Sequence, residues 1–375
     1  MIKLYKEKEY QAIKDRADKI SEATDRSPEE EIELEILKQL LYNYECRHND
    51  IGSKSIKLKD FKKLLSDSKD NLAFIFGNGI NRYAWVKDGD YSDISWEGML
   101  LYLWKDVCDE DFLIHDYNNN PKIPDEGITY TEFFNILENI LQEENRKLPK
   151  NKRVGLKKRT KNYVIDHINS VKQYHIDLQR LLEKNFNCPV MTTNYDYNIG
   201  VGLEFDSKSQ GAKHYSNNFL MESYRAKPEV TKPFQEFSVW HINGSLKFAN
   251  SLRIGLSDYT SIISQASDRI KEWRNAIKSG TPNMNIGFYK SWLRMFFEKD
   301  LCIVGLSLDT NEVLLRWLLI ERKKYLDDNK LSDIRTWYVT RKGDVDVGMD
   351  FYLDFLGVEL VALKDYDEVY KGIFK

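Results

Sequence analysis

The apolar run Leu72-Ala73-Phe74-Ile75-Phe76 stops at Gly77-Asn78-Gly79-Ile80-Asn81. A run this short and this apolar, closed by glycines, reads as a strand buried on both faces that enters a tight turn. Five similar runs follow: Pro189-Val190-Met191-Thr192-Thr193, Phe237-Ser238-Val239-Trp240-His241, Leu301-Cys302-Ile303-Val304, 334–339 and 358–363. The run from Leu301 passes through Gly305-Leu306-Ser307 into a strong helical pattern from Glu312 to Tyr325. Apolar strands alternating with helices predict an α/β fold, a Rossmann-like, doubly wound and mainly parallel sheet. The stretch between the first two runs, about 95–185, is helical in pattern: Trp96 to Val107, Tyr130 to Gln142 and Lys161 to Leu182. The sequence therefore predicts a helical module inserted after the first strand.

Ahead of this body, residues 1–70 read as an N-terminal helical extension, with 71–375 as the main domain. Ser27-Pro28-Glu29-Glu30 supplies an N-cap, a first-turn proline and a capping-box glutamate. Ile32, Ile36, Leu37, Leu40, Leu41 and Tyr44 then share one helical face, which predicts packing on the body or on another subunit and hence a homo-oligomer. A chain of 375 residues with 42% hydrophobic content can bury a sizeable core unaided. Its net charge of -3 gives no global attraction for nucleic acid. Nine Lys or Arg residues lie between Arg146 and Lys161 without an acid, and a solvated connection is the favoured reading over a phosphate-binding patch. The four cysteines, Cys46, Cys108, Cys188 and Cys302, have neither metal-ligand nor disulfide-framework spacing, which predicts a reducing, cytoplasmic setting. The N-terminal MIKLYKEKEYQ has no leader-like apolar segment, and no run is long enough to span a membrane.

In doubly wound sheets ligands bind beyond the carboxyl ends of the strands, so the residues following each strand are the first candidates. Gly77-Asn78-Gly79-Ile80-Asn81 can bring the backbone close to a pyrophosphate and offer it free amides, or can be a plain turn. Arg82 stands where the usual dinucleotide fingerprint has its third glycine. Thr192-Thr193-Asn194-Tyr195-Asp196 delivers an amide and a carboxylate suited to a ribose, or forms an Asx turn. Val239-Trp240-His241-Ile242-Asn243-Gly244-Ser245 places His241 and Asn243 on one side if strand geometry continues, and His241 has the intrinsic pKa of a proton carrier. Gly305-Leu306-Ser307-Leu308-Asp309 can hold the adenosine half of a nucleotide or cap a helix.

Taken in order, this glycine turn, TTNYD, the aromatic-flanked H-x-N-G-S and GLSLD resemble the sirtuin-like family, in its bacterial branch that hydrolyses NAD in antiphage defence. The resemblance covers roughly 72–330 and extends to Ser251-Leu252-Arg253-Ile254-Gly255-Leu256 and to Glu312-Val313-Leu314-Leu315-Arg316-Trp317-Leu318-Leu319. It implies that Gly77, Asn78, Gly79 and Asn81 line the phosphates, Asn194 and Asp196 face the nicotinamide ribose, and Gly305 and Ser307 contact the adenosine side. The family's catalytic histidine directly precedes a glycine, whereas here Asn243 precedes Gly244 and His241 stands two residues earlier. Either His241 takes the role, or Asn243 disables turnover, or the site works without a base. The two C-x-x-C zinc pairs of protein-deacetylating sirtuins are absent, so no zinc is expected and peptide deacetylation ranks last.

The resemblance implies an NAD glycohydrolase, with NAD as substrate and Asn194, His241 and Asn243 as catalytic candidates. The alternative is an NAD- or ADP-ribose-binding subunit with little turnover. No G-x-x-x-x-G-K-[ST] segment is present, so a separate sensor or motor is expected. The resemblance suggests a HerA-type hexameric ATPase, or with less support an Argonaute-like protein, and any nucleic acid would be met through that partner.

Overall fold

A computed structural model describes residues 56–206 and 221–375, apart from 91, 111, 113, 117, 118, 125, 126 and 281–284, together with 7–23 and positions 26, 27, 30, 31, 33, 34, 37, 38 and 41. Its centre is an eight-stranded sheet: β1 (Leu72–Phe76), β2 (Val190–Thr192), β3 (Glu204–Phe205), β4 (Arg225–Ala226), β5 (Val239–His241), β6 (Asp300–Val304), β7 (Thr336–Arg341) and β8 (Glu359–Leu363). The spatial order is β3-β4-β5-β2-β1-β6-β7-β8, with β3 and β4 antiparallel at one edge and the other six parallel. Numbered among themselves, the six parallel strands run 3-2-1-4-5-6, the order of a doubly wound sheet. Chain direction across the sheet reverses between β1 and β6, and a crevice is expected at that point.

All six expected strands form: β1, β2, β5 and β6 are buried along their whole length, and the edge strand β8 is anchored by buried Val361 and Leu363. Leu72, Phe74 and Phe76 of β1 enter one core with Phe61, Leu178 and Val304, while Ala73 and Ile75 enter a second core with Trp240, Ile303 and Leu318. The antiparallel pair β3 and β4 was not expected, since two residues per strand leave no readable alternation. Register sets the strand ends level: Phe76 pairs with Thr192 and with Val304, and Thr192 pairs with His241. The four candidate segments therefore leave the sheet along one edge.

The described helices that matter below are α1 (Glu7–Ser21), α2 (Leu58–Asp67), α3 (Gly79–Lys87), α4 (Trp96–Cys108), α5 (Tyr130–Arg146), α6 (Leu156–Tyr163), α7 (Gln173–Asn185), α8 (Leu256–Lys278), α9 (Leu293–Glu298) and α10 (Val313–Asn329). Helices α4 to α7 lie between β1 and β2 in the chain, and α4 and α5 start within a residue of the expected positions. The expected helix from Lys161 to Leu182 is broken instead. After α6 the chain makes a π-helical turn, Val164–Ile168, and resumes as α7 only at Gln173. Asn169 explains the interruption: its Oδ1 accepts the Tyr197 amide at 2.8 Å, and Asn198 Nδ2 donates to the Ile168 carbonyl at 2.8 Å. Side-chain bonds of this kind compete with the helical ladder and tie the break to the loop after β2.

The longest described helix, α8, was not anticipated. Its serines dilute the pattern, yet Tyr259, Ile262, Ala266, Arg269, Ile270 and Trp273 are buried at helical spacing. Near the N-terminus the Ser27–Glu30 capping box forms with bonds of 3.0 and 3.2 Å. Ala17 and Ile20 of α1 meet Leu34, Leu37 and Leu41 in a cluster separate from the two main cores. Ile32, Ile36, Leu40, Tyr44 and Cys46 lie outside the described residues. Phe61 and Leu65 of α2 are buried in the first main core, so packing of the body already includes residues before 70. Several cations of the 146–161 stretch are paired within the protein: Lys157 with Asp258 at 2.5 Å and Arg159 with Asp106 at 2.7 Å. Among the described residues no helix is long and apolar enough to cross a membrane.

Candidate functional site

A cavity of about 930 Å³ opens at the carboxyl edge of the sheet, at the reversal between β1 and β6. This lies within the range of roughly 300–1,000 Å³ that suits nucleotide-sized ligands. Asn78, Gly79, Asn194, Asp196, Asn243, Gly305 and Ser307 all line it. Gly77, Asn81 and His241 do not.

The glycines act by letting two loops meet. A Cβ on Gly77 would stand 2.5 Å from the Gly305 carbonyl oxygen, and one on Gly79 would stand 2.7 Å from Gly305 Cα. Gly305 itself has φ +73°, in the left-handed region that favours glycine. The Gly77 amide donates to the Val304 carbonyl at 3.1 Å and the Gly79 amide to the Gly305 carbonyl at 2.9 Å. Both amides are thus used to join the loops after β1 and β6. Of the two readings open for this segment, amides free for a phosphate or a structural turn, these two bonds match the turn.

Behind the turn is a closed polar network. Asn78 Nδ2 donates to the Ile94 carbonyl at 2.7 Å, Asn81 Nδ2 bridges Asn78 Oδ1 and Asp196 Oδ2 at 3.0 and 2.9 Å, and Asn198 Nδ2 donates to Asn81 Oδ1 at 3.0 Å. Asn81 is fully buried and serves as the keystone that orients Asn78 and Asp196. Asp196 Oδ1 also accepts the Asn198 amide at 3.0 Å. Burial raises the Asp196 pKa, and these donors with Arg225 oppose that rise.

Asn194 is held on three sides. Its amide donates to Thr192 Oγ1 at 3.1 Å, its Nδ2 to the Gly77 carbonyl at 3.2 Å, and its carbonyl accepts from His241 Nδ1 at 2.9 Å. With Nδ2 engaged, Oδ1 is the atom this cavity-lining carboxamide offers to a hydroxyl or water.

His241 points elsewhere. A carbonyl only accepts, so the bond to Asn194 fixes the proton on Nδ1, and Nε2 then faces the Arg225 guanidinium at 3.5 Å. Burial, reinforced by Arg225, pushes the His241 pKa down to about 3, so the ring is neutral across the physiological range. Arg225 in turn donates to the carbonyls of Ile199 and Gly200 and stacks 4.1 Å over Tyr197. His241 and Asn243 do not share a side, because the strand ends at His241 and the chain turns, with the Gly244 amide returning to the His241 carbonyl at 3.3 Å. Gly244 takes φ +93° to make that turn. Alternation does not extend past the last strand residue.

Asn243 faces the cavity. Its Nδ2 donates to Tyr259 Oη at 3.4 Å, Tyr259 is hydrogen-bonded to Tyr195, and Tyr195 Oη donates to the Arg253 carbonyl at 2.6 Å. Asn243 Oδ1 is a buried acceptor with no hydrogen-bond partner among the described residues. Such an atom is costly to leave unpaired and suits a ligand donor. Ser307 Oγ donates to Asp309 Oδ2 at 2.8 Å, and Asp309 Oδ1 accepts the Asn311 amide at 2.8 Å, so this loop is an Asx-type turn that also lines the cavity.

Among the ionisable lining residues to which the sequence assigned no role, Arg82 and Glu312 matter most below. Arg82, the residue at the missing glycine position, is exposed and contributes a cation near Arg341, whose guanidinium lies 4.5 Å over the Tyr366 ring. Glu312, immediately before α10, lines the wall near Asn243's tyrosines. Burial, and then Asp309, push its pKa up to about 8. Arg82 was visible as a departure from the glycine fingerprint, whereas a glutamate before a helix normally reads as a favourable terminal charge.

No family profile matches this chain, and a search of curated proteins finds no match.

Proposed function

We propose that the protein is a sirtuin-like NAD glycohydrolase that releases nicotinamide and leaves ADP-ribose, built on a Rossmann-like sheet with a helical module between β1 and β2 and an N-terminal helical extension. The observation that carries this reading is the convergence of Asn194, Asp196 and Asn243 with the Gly79–Gly305 contact on one nucleotide-sized cavity at the sheet's reversal point. Cleavage of the glycosidic bond develops positive charge on the ribose, so the site needs ribose anchors, nearby carboxylates and a held water. Asn194 Oδ1 positions the water or a ribose hydroxyl, Asp196 braces the ribose pocket, and Asn243 Oδ1 accepts a ribose hydroxyl. The diphosphate lies toward Arg82 and Arg341, with the adenosine side along Gly305 and Ser307. The sequence resemblance further supports an antiphage role through NAD depletion, a homo-oligomeric assembly and control by a HerA-type hexameric ATPase.

A second reading, a binding subunit with little turnover, is favoured by one observation: Asn243 cannot take a proton and His241 is held neutral between Asn194 and Arg225. Both readings require the cavity to bind ADP-ribose. Calorimetric titration should detect that binding, and Arg82→Glu, a change at an exposed position, should weaken it by roughly tenfold or more, the scale of one charge-assisted contact to phosphate. Equal affinity in the two proteins would move the diphosphate away from Arg82, and no binding to the parent at millimolar ligand would remove the nucleotide assignment.

A further inference from the structure

We propose that Glu312 is the catalytic residue that takes the proton from the attacking water, in place of the histidine that the loop after β5 lacks. The proposal rests on the NAD glycohydrolase reading and adds the group that this reading leaves unnamed. Three observations bring Glu312 toward the Asn194 and Asn243 side of the cavity. It lines the same cavity as Asn194 and Asn243. It lies near Tyr195 and Tyr259, the two phenols linked to each other and, through Tyr259, to Asn243. It stands at the N-cap position of α10 without using its side chain as a cap, so the carboxyl is left for the cavity. Of the other cavity residues, Asn243 and Asn194 offer only amides, while the carboxylates of Asp90, Asp93, Glu97, Asp196, Asp309 and Asp344 each already accept hydrogen bonds from within the protein. Among the described residues, no hydrogen bond engages the Glu312 carboxyl.

The step balances on NAD and water. The C1′–N1 bond breaks with its electron pair moving to the ring nitrogen, which leaves as neutral nicotinamide. The water oxygen bonds to C1′, and its proton passes to the Glu312 carboxylate and then to solvent. The partial charge at the start of α10 favours the carboxylate, while burial and Asp309 favour the acid, and the balance lies near pH 8. The other groups around it are Tyr195, Tyr259 and Tyr338, with Asp258 and Arg253 facing Tyr195 and with Arg316 one turn along α10 engaged with the Leu308 carbonyl at 2.6 Å. Turnover should therefore rise with pH and level off above about 8. Stability should move the opposite way. A carboxyl whose folded pKa exceeds its unfolded value of 4.5 favours folding while protonated, and that advantage is lost as pH rises from the unfolded value through about 8.

The test compares the parent, Glu312→Gln and Glu312→Asp in NAD hydrolysis from pH 6 to 9.5, ADP-ribose binding and thermal unfolding against pH. Glu312→Gln should lower kcat about a hundredfold or more, the usual contribution of a positioned base, while ADP-ribose affinity stays within about twofold. The fall of Tm with rising pH should flatten in the same variant. Glu312→Asp should retain part of the activity with a displaced pH profile, and it decides the matter if Glu312→Gln does not fold. A Gln variant with parental kcat, an Asp variant with the parental pH profile, or a loss of activity that only follows a loss of ADP-ribose binding would each overturn the assignment and leave the hydrolase reading standing. A parent that binds ADP-ribose but never releases nicotinamide overturns both.

Discussion

Replacing Asn194 with alanine is expected to reduce NAD hydrolysis by about a hundredfold or more with little change in folding. Misplacing a reacting group by a fraction of a bond length has costs on that scale, roughly 100-fold for a shift of about 1 Å. Asn194 is built for placement: Gly77 holds its Nδ2, while Thr192 and His241 hold its main chain. Truncation removes only the carboxamide. The backbone bonds to Thr192 and His241 remain, and the lost Nδ2 contact with Gly77 is worth about 1 kcal/mol. The expected pattern is a collapse of kcat with a near-parental unfolding midpoint. Asn194→Asp is the informative companion, because it keeps an acceptor but places a carboxylate against the Gly77 carbonyl, which cannot donate to it.

The largest expected loss of stability lies away from the cavity, at Arg322 of α10. This side chain is 2% exposed, and its guanidinium donates to Thr336 Oγ1 at 3.0 Å and to the carbonyls of Phe296, Lys299 and Arg335 at 2.5, 2.8 and 2.9 Å. It thereby fastens the end of α9 and the entries to β6 and β7 to the helix that follows β6. Burial lowers its pKa to about 9, with Asp300 opposing the shift, so it remains a cation at neutral pH. Arg322→Ala takes the guanidinium away from the Phe296 and Lys299 carbonyls and the Thr336 hydroxyl in a buried core, while the Arg335 carbonyl keeps the Leu301 amide at 3.0 Å, at a cost of roughly 3–5 kcal/mol. That is a large fraction of a typical domain stability of about 5–15 kcal/mol. Denaturant unfolding should show a much lower midpoint. Arg322→Lys should recover only part of it, because an ammonium cannot reach all four acceptors in the plane of a guanidinium fork. An unfolding midpoint unchanged in Arg322→Ala would contradict this reading of the core.

The fold was readable where one chemical signal dominated. The central apolar runs needed cover on both faces, and a parallel sheet sandwiched by helices provides it. Glycines at 77, 79 and 305 were readable as close approaches, but their use was not: the approach is between two protein loops, and the Gly77 and Gly79 amides are taken by it. Arg322 reads in sequence as one more polar residue on a helix, since nothing local reveals which carbonyls end beside it. His241 read as a proton carrier from its intrinsic pKa, while its environment is set by Arg225, which is sixteen residues earlier and arrives through the antiparallel strand β4. Glu312 was invisible for the same reason. Its pKa depends on a cavity wall assembled from distant segments, and a carboxylate before a helix looks ordinary until that wall is present.

The most direct test of the central claim is to incubate the purified protein with NAD, alone and together with a HerA-type ATPase, and to quantify nicotinamide and ADP-ribose over time. The account predicts that the two products appear in equal amounts, that no acetylated peptide is needed, and that Asn194→Ala suppresses both. NAD that remains intact under every condition, or product formation that Asn194→Ala leaves unchanged, would contradict it.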